Sequence, residues 1–152
     1  MRRTVGVLIC LAACASPRSS GVDPVDRRVI LTAEQLGGLG RGGQVGGHVY
    51  DSLWTPSESL VSAADRRLGR ALRRAPRESR ASADVRADAY WRQYAGFYIG
   101  ARRVLFLNGL CEPTTNWQRA WIRVDDGGAC YFTATIDPHS GTFRSLVFHP
   151  EA

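Results

Sequence analysis

Phe132, Ala134 and Ile136 alternate with Tyr131, Thr133 and Thr135. A period of two puts the first set on one face of a β-strand and the second on the other. A strand over 129–136 with one greasy face constrains the rest of the chain, because that face must be covered. Turn signals flank it. Asp125-Asp126-Gly127-Gly128 tolerates the positive φ of tight hairpins and predicts a turn from a strand over 121–124. Asp137-Pro138-His139-Ser140-Gly141 predicts a second turn, with Pro presetting φ and Gly closing it, and 142–149 returns as the last strand. Upstream, 91–99 and 104–108 flank Gly100-Ala101-Arg102-Arg103, a further hairpin signal. Val104-Leu105-Phe106-Leu107 is apolar at every position, as in a central strand covered on both sides.

The cover is a helix over about 56–75. Thr55-Pro56-Ser57-Glu58 reads as its start, with Thr55 as N-cap, Pro56 in the first helical position and Glu58 as the capping-box partner. Leu60, Ala64, Leu68 and Leu72 recur every four residues, with Val61, Ala71 and Ala75 beside them, and Pro76 ends the run. The other side carries Arg66, Arg67, Arg70, Arg73 and Arg74. These suit a solvated face near the negative end of the helix dipole, or an anionic partner such as lipid headgroups. They form no nucleic-acid reading motif, so nucleic acid is not an expected partner.

Residues 27–54 carry weaker signals. Val29-Ile30-Leu31 suits a short strand, and Thr32-Ala33-Glu34-Gln35 suits the cap of a short helix. Gly38-Leu39-Gly40-Arg41-Gly42-Gly43 matches the dinucleotide fingerprint in letters only. No helical pattern follows it to meet a pyrophosphate, so it reads as a loop.

The N-terminus decides location. Arg2 and Arg3 precede a short apolar run over 5–13, the form of a secretory signal. It ends in Leu11-Ala12-Ala13-Cys14, which resembles the bacterial lipobox. That resemblance implies removal of 1–13 and diacylglycerol on Cys14, with acylation of the new amino terminus. The membrane is then a partner through lipid, since stable anchoring takes more than one chain. Cys10 follows the bulky Ile9 and does not fit. Ala15 is not the Asp that retains such proteins at the inner membrane, which implies the periplasmic face of the outer membrane. Residues 14–26, rich in Ser and Pro, read as a flexible tether, and 27–152 as one domain. All 20 basic residues are arginine; loss of Arg2 and Arg3 takes the formal charge from +6 to +4. Trp54-Thr-Pro-Ser-Glu, Tyr90-Trp-Arg-Gln-Tyr-Ala-Gly and Val124-Asp-Asp-Gly-Gly-Ala-Cys-Tyr-Phe resemble segments of small bacterial lipoproteins with a C-terminal β-rich domain. That resemblance implies attachment and fold, and no chemistry.

Outside the cytoplasm, Cys111 and Cys130 are expected to form a disulfide. In a simple meander they fall at opposite edges, too far apart to bridge. Either 112–119 wraps round the end of the sheet, or the strand order is not sequential. The rival reading is a catalytic thiol with His139 or His149 as base. His48, His139 and His149 show no zinc spacing, and Asp125-Asp126-Gly127 is too short for a calcium loop, so no metal or cofactor is expected.

If Trp91, Ala95, Phe97 and Ile99 face the helix, the opposite side of the sheet presents Arg92, Tyr94, Tyr98, Trp121, Arg123 and Tyr131. Tyr, Trp and Arg dominate binding hot spots, and here suit a glycan or an envelope protein, unless 29–50 folds back to cover them. The fold expected is α+β, with one main N-terminal helix on an antiparallel sheet of four to five short strands. The function expected is a non-catalytic binding module anchored in the cell envelope. The alternatives are a small envelope hydrolase and a purely structural lipoprotein.

Overall fold

A computed structural model describes residues 27–39, 43–45, 47–76, 86–124 and 126–150. In chain order the elements are β1 (Arg28–Ile30), α1 (Ala33–Leu36), β2 (Gln44–Val45), β3 (His48–Val49) and β4 (Ser52–Trp54). There follow α2 (Glu58–Arg74), β5 (Trp91–Ile99), β6 (Arg102–Leu110), β7 (Tyr131–Ile136) and β8 (Phe143–Phe148). The expected signal over 1–13, Cys14 and the expected tether over 14–26 lie outside the described residues.

The architecture is α+β, with α2 packed on one side of a mostly antiparallel sheet. Three details differ from expectation. The sheet has six strands, not four or five. The main helix is not N-terminal, because β1 to β4 and α1 precede it. And β1 runs parallel to β5, from Arg28↔Arg92 to Ile30↔Tyr94. A parallel pair needs a long crossover, and the chain between these strands contains α2. β4 pairs antiparallel with the second half of the same β5 edge, so two short strands share one edge.

β5 and β6 form the centre, in unbroken register from Trp91↔Leu110 to Ile99↔Arg102 around Gly100 at φ +59. β7 pairs directly with β6, and β8 with β7. The turn between β7 and β8 is the expected one. Asp137 N–H donates to Thr142 O at 2.9 Å, and Gly141 takes φ +64. Asp137 accepts from Arg144 and from the backbone N–H of Ser140 and His139, which together hold its carboxyl far below the usual range.

α2 starts two residues later than expected. Ser57, not Thr55, is the N-cap, and its side chain accepts from Leu60 N–H. Thr55 Oγ1 instead accepts from Ala33 N–H at 3.0 Å, tying the start of α1 to β4. The capping box is formed on α1 by Thr32 and Gln35. Ala75, before Pro76, is extended, since proline disfavours the helical region for the residue ahead of it. Val61, Ala64, Leu68 and Leu72 are fully buried, and Leu60 is half-buried. They meet Leu105, Leu107, Phe132, Ala134 and Ile136 of the sheet. Each fully buried leucine contributes about 1.5–3 kcal/mol.

A second core lies on the other side of the sheet. Leu31, Leu36, Val45 and Tyr50, from the 29–50 segment, pack on Ala95, Phe97 and Phe106. Apolar residues therefore occupy both sides of β5 and β6, and the parity of the strand alone cannot say which set faces the helix.

Candidate functional site

The helix takes the even positions of β5, not the odd ones. Tyr90 and Tyr94 are buried beneath α2, with Tyr98 half-buried beside them. The reason is polar. Tyr94 donates its hydroxyl to Asp65 Oδ1 at 2.6 Å, and Tyr90 donates to Ala129 O at 2.8 Å. Arg92, only 5% exposed at its side chain, forms an ion pair with Asp65 at 3.5 Å. Arg28 reaches the other Asp65 oxygen at 3.4 Å and also pairs with Glu58. Asp65 is thus the hub of a network beneath the helix, and Arg92 and Tyr94 are interior residues.

On the opposite side, Gln93 and Asn108 face each other across β5 and β6 and are buried. Asn108 Nδ2 donates to Gln93 Oε1 at 3.1 Å and to Ile122 O at 2.7 Å. Gln93 Nε2 donates to Trp117 O, and to Ala120 O at 2.7 Å, while Gln93 Oε1 accepts from Ile122 N–H at 2.9 Å. Two carboxamides thus hold the 117–122 backbone against the sheet. The stretch 121–124, expected as a strand, is not one: the N–H and carbonyl of Ile122 are taken by side chains rather than by a neighbouring strand. Asp126-Gly127-Gly128 is accordingly not a turn between two strands. Gly127 and Gly128, at φ +123 and +60, lead into a short 3-10 helix over Gly128–Cys130. Gln93→Ala is expected to leave carbonyls and one N–H buried without partners. That costs about 1–3 kcal/mol, measured as a lower urea midpoint at unchanged slope.

The route from β6 to β7 explains the cysteines. Leu110 pairs with Tyr131, so Cys111 and Cys130 are the next residues outward, with Cα atoms 5.0 Å apart. They form a disulfide, and Cys111 N–H donates to Cys130 O at 2.9 Å. Of the two routes left open by the sequence, the chain wraps round the end of the sheet. Neither cysteine offers a thiol to His139 or His149.

The second side of the sheet is covered over β5 and β6 and open over β7 and β8. A groove of about 420 Å³ lies there. Its floor is Phe106, Asn108, Thr133 and Thr135; its walls are the β2–β3 hairpin and Trp121 to Val124. Thr135 Oγ1 lies 2.6 Å from Ser145 Oγ, and Thr133 Oγ1 lies 3.1 Å from His149 Nε2. His48 stands edge-on to Phe106, with ring centroids 6.3 Å apart. Trp121 is edge-on to the buried Phe97, and Arg123 is exposed beside it. Indole, imidazole, guanidinium and hydroxyl groups therefore converge on one concave surface. A hydroxyl on an imidazole is half of a nucleophile–base pair, yet among the described residues no carboxylate is seen to hydrogen-bond or ion-pair with His149. Among those residues no three His, Cys, Asp or Glu side chains cluster to hold a metal ion.

Of the six residues expected on one binding face, the structure brings together two. Trp121 and Arg123 line the groove. Arg92 and Tyr94 lie under α2, with Tyr98 beside them, on the other side of the sheet. Tyr131 is half-buried at the end of β7, with Gly127 against its ring, outside the groove lining. His48, Thr133, Thr135 and Ser145 were not anticipated as groove residues, and His149 was named only as a base for a cysteine thiol. The clue to Thr133 and Thr135 was the polar set of 131–136 itself, a strand face left without an apolar cover. No family model, curated protein or solved structure matches the chain.

Proposed function

We propose that the chain is a cell-envelope lipoprotein that binds an envelope glycan in the groove between Trp121, His48 and the open face of β7 and β8. The lipobox residues ending in Cys14 support export and anchoring, and 14–26 support a tether that carries the domain away from the bilayer, at the periplasmic face of the outer membrane. No helix among the described residues is long and apolar enough to cross a membrane. The observation that carries the binding reading is the groove's chemistry. Sugars present hydroxyl groups on an apolar ring face, and this surface offers hydroxyls, imidazoles and Arg123 around Trp121 and Phe106. We read the role as non-catalytic, and the disulfide supports this by taking up the two cysteines of the thiol-nucleophile alternative.

Two measurements test it. Labelled palmitate is expected to enter the wild-type chain and not Cys14→Ser. Co-sedimentation with purified peptidoglycan is expected for the wild type and at least ten-fold weaker for Thr135→Tyr, about 1.4 kcal/mol. Thr135 is half-buried on the groove floor, and tyrosine suits a strand while filling the space above it. Equal sedimentation of a folded Thr135→Tyr sinks the groove assignment, and palmitate in Cys14→Ser sinks the anchor.

A further inference from the structure

A second cavity, of about 500 Å³, lies on the helix side between the end of α2 and β8, the edge strand of the sheet. Its two halves have opposite chemistry. The floor is apolar: Ala71, Ala75, Phe143 and Leu146. The rim is cationic: Arg67, Arg70 and Arg74 from α2 and Arg144 from β8. The helix residues recur at three and four positions, so they stand in one row facing the strand. No carboxylate lines the cavity. Arg67 is engaged with the Ser140 carbonyl, and Arg144 with Asp137. Arg70 and Arg74 form no ion pair among the described residues.

The helix dipole does not account for this. It favours cations in the last turn, which covers Arg73 and Arg74, but Arg67 and Arg70 lie further back. Nor does the dipole repel an anion here. About half an elementary charge at the helix end is outweighed by the guanidinium groups of Arg67, Arg70 and Arg74, even with Arg144 balanced by Asp137. A site for a small free anion would have a polar floor, whereas this one has alanine, phenylalanine and leucine. A cationic rim over an apolar floor complements a molecule with an anionic head and a greasy stem.

We propose that this cavity docks the domain on an anionic membrane surface. The phosphate of a phospholipid such as phosphatidylglycerol sits among Arg67, Arg70, Arg74 and Arg144, and the start of its acyl chains lies on Phe143 and Leu146. This cavity lies at the α2 side of the edge strand and meets the proposed glycan groove at Ser145 and Val147. The inference does not rest on that groove, and it predicts that one molecule meets a bilayer and a glycan on either side of β8.

The test uses the full chain reconstituted into lipid nanodiscs of phosphatidylglycerol or phosphatidylcholine, each with a trace of the same lipid carrying a photoreactive acyl chain. The N-terminus holds the domain near the bilayer in both, so the headgroup is the variable. Expected are adducts on 67–76 and 142–147 in phosphatidylglycerol and few in phosphatidylcholine. Each arginine near an anionic surface is worth about five-fold in docking, so Arg70→Gln with Arg74→Gln is expected to cut labelling by up to about thirty-fold. The control pair, Arg66→Gln with Arg102→Gln, removes the same charge outside the cavity and is expected to change it about two-fold or less, through screening. All four positions are exposed, and circular dichroism checks the fold of each variant. Equal labelling in both lipids, equal loss in both variant pairs, or adducts mapped elsewhere overturns the proposal.

Discussion

Asp65→Ala is expected to lower the unfolding free energy by about 3–5 kcal/mol, a large part of the 5–15 kcal/mol typical of a domain. Asp65 pairs with Arg92, whose side chain is 5% exposed. Removing it takes a countercharge from that buried cation under α2, and also strips Tyr94 of its acceptor. Breaking one side of a buried pair is far more costly than the pair's net contribution, because the surviving charge stays desolvated. Tyr94→Phe separates the two effects. It removes one hydrogen bond to a charged acceptor and is expected to cost about 1.5–3 kcal/mol. Burial, followed by the charge and hydrogen bond of Asp65, pushes the Tyr94 hydroxyl well above its usual pKa, while Arg92 and Arg28 oppose the shift. A folded-state pKa above the unfolded value near 10 gives stability that is fully present below that pH and lost as pH rises beyond it. The wild type should therefore weaken in alkali more steeply than Tyr94→Phe. Denaturant unfolding at neutral and alkaline pH checks all three. An Asp65→Ala protein as stable as wild type would remove the network from the account of stability.

The same network shows where sequence reading stopped. The alternation of 131–136, the Leu68 and Leu72 stripe, the turns at Gly100 and Gly141 and the cysteine pairing are local or chemically forced, and each was legible. The side of the sheet chosen by Tyr94 was not. In β5 both parities are apolar, because both sides are covered, and a tyrosine reads equally as a binding residue or as a buried ring with its hydroxyl satisfied. The deciding partner, Asp65, lies on another element. The stretch 121–124 failed for a related reason. Its alternation is present in the sequence, but Gln93 and Asn108 claim the N–H and carbonyl of Ile122. A glutamine and an asparagine inside strands of Phe, Leu and Tyr were the overlooked signal. Buried carboxamides need partners, and the nearest chain without secondary structure supplies them. The parallel pairing of β1 depends on a crossover through α2, which no three-residue pattern can announce. The glycine at 109 is legible only afterwards, since the ring of Phe132 occupies the space where a side chain would stand.

Loss of the Cys111–Cys130 disulfide, by reduction or as Cys111→Ala with Cys130→Ala, is expected to cost about 3 kcal/mol. The cross-link spans 19 residues, and closing a loop of that size removes a comparable entropy from the unfolded chain. The native effect should be local. Leu110 and Tyr131 keep their ladder pairing, and Gln93 and Asn108 still hold 117–122, so the sheet and the Trp121 wall remain in place. The clamp and the disulfide fasten the same excursion at different points. Their losses are therefore coupled, and Gln93→Ala in the reduced protein is expected to cost more than the two single changes together. Thermal unfolding of wild type and Gln93→Ala, each with and without reductant, gives the four corners of that cycle. Strict additivity would mean that the clamp holds 117–122 without help from the covalent link. A super-additive loss, with Trp121 fluorescence shifting before the sheet unfolds, would mean that the groove wall stands on both fastenings at once.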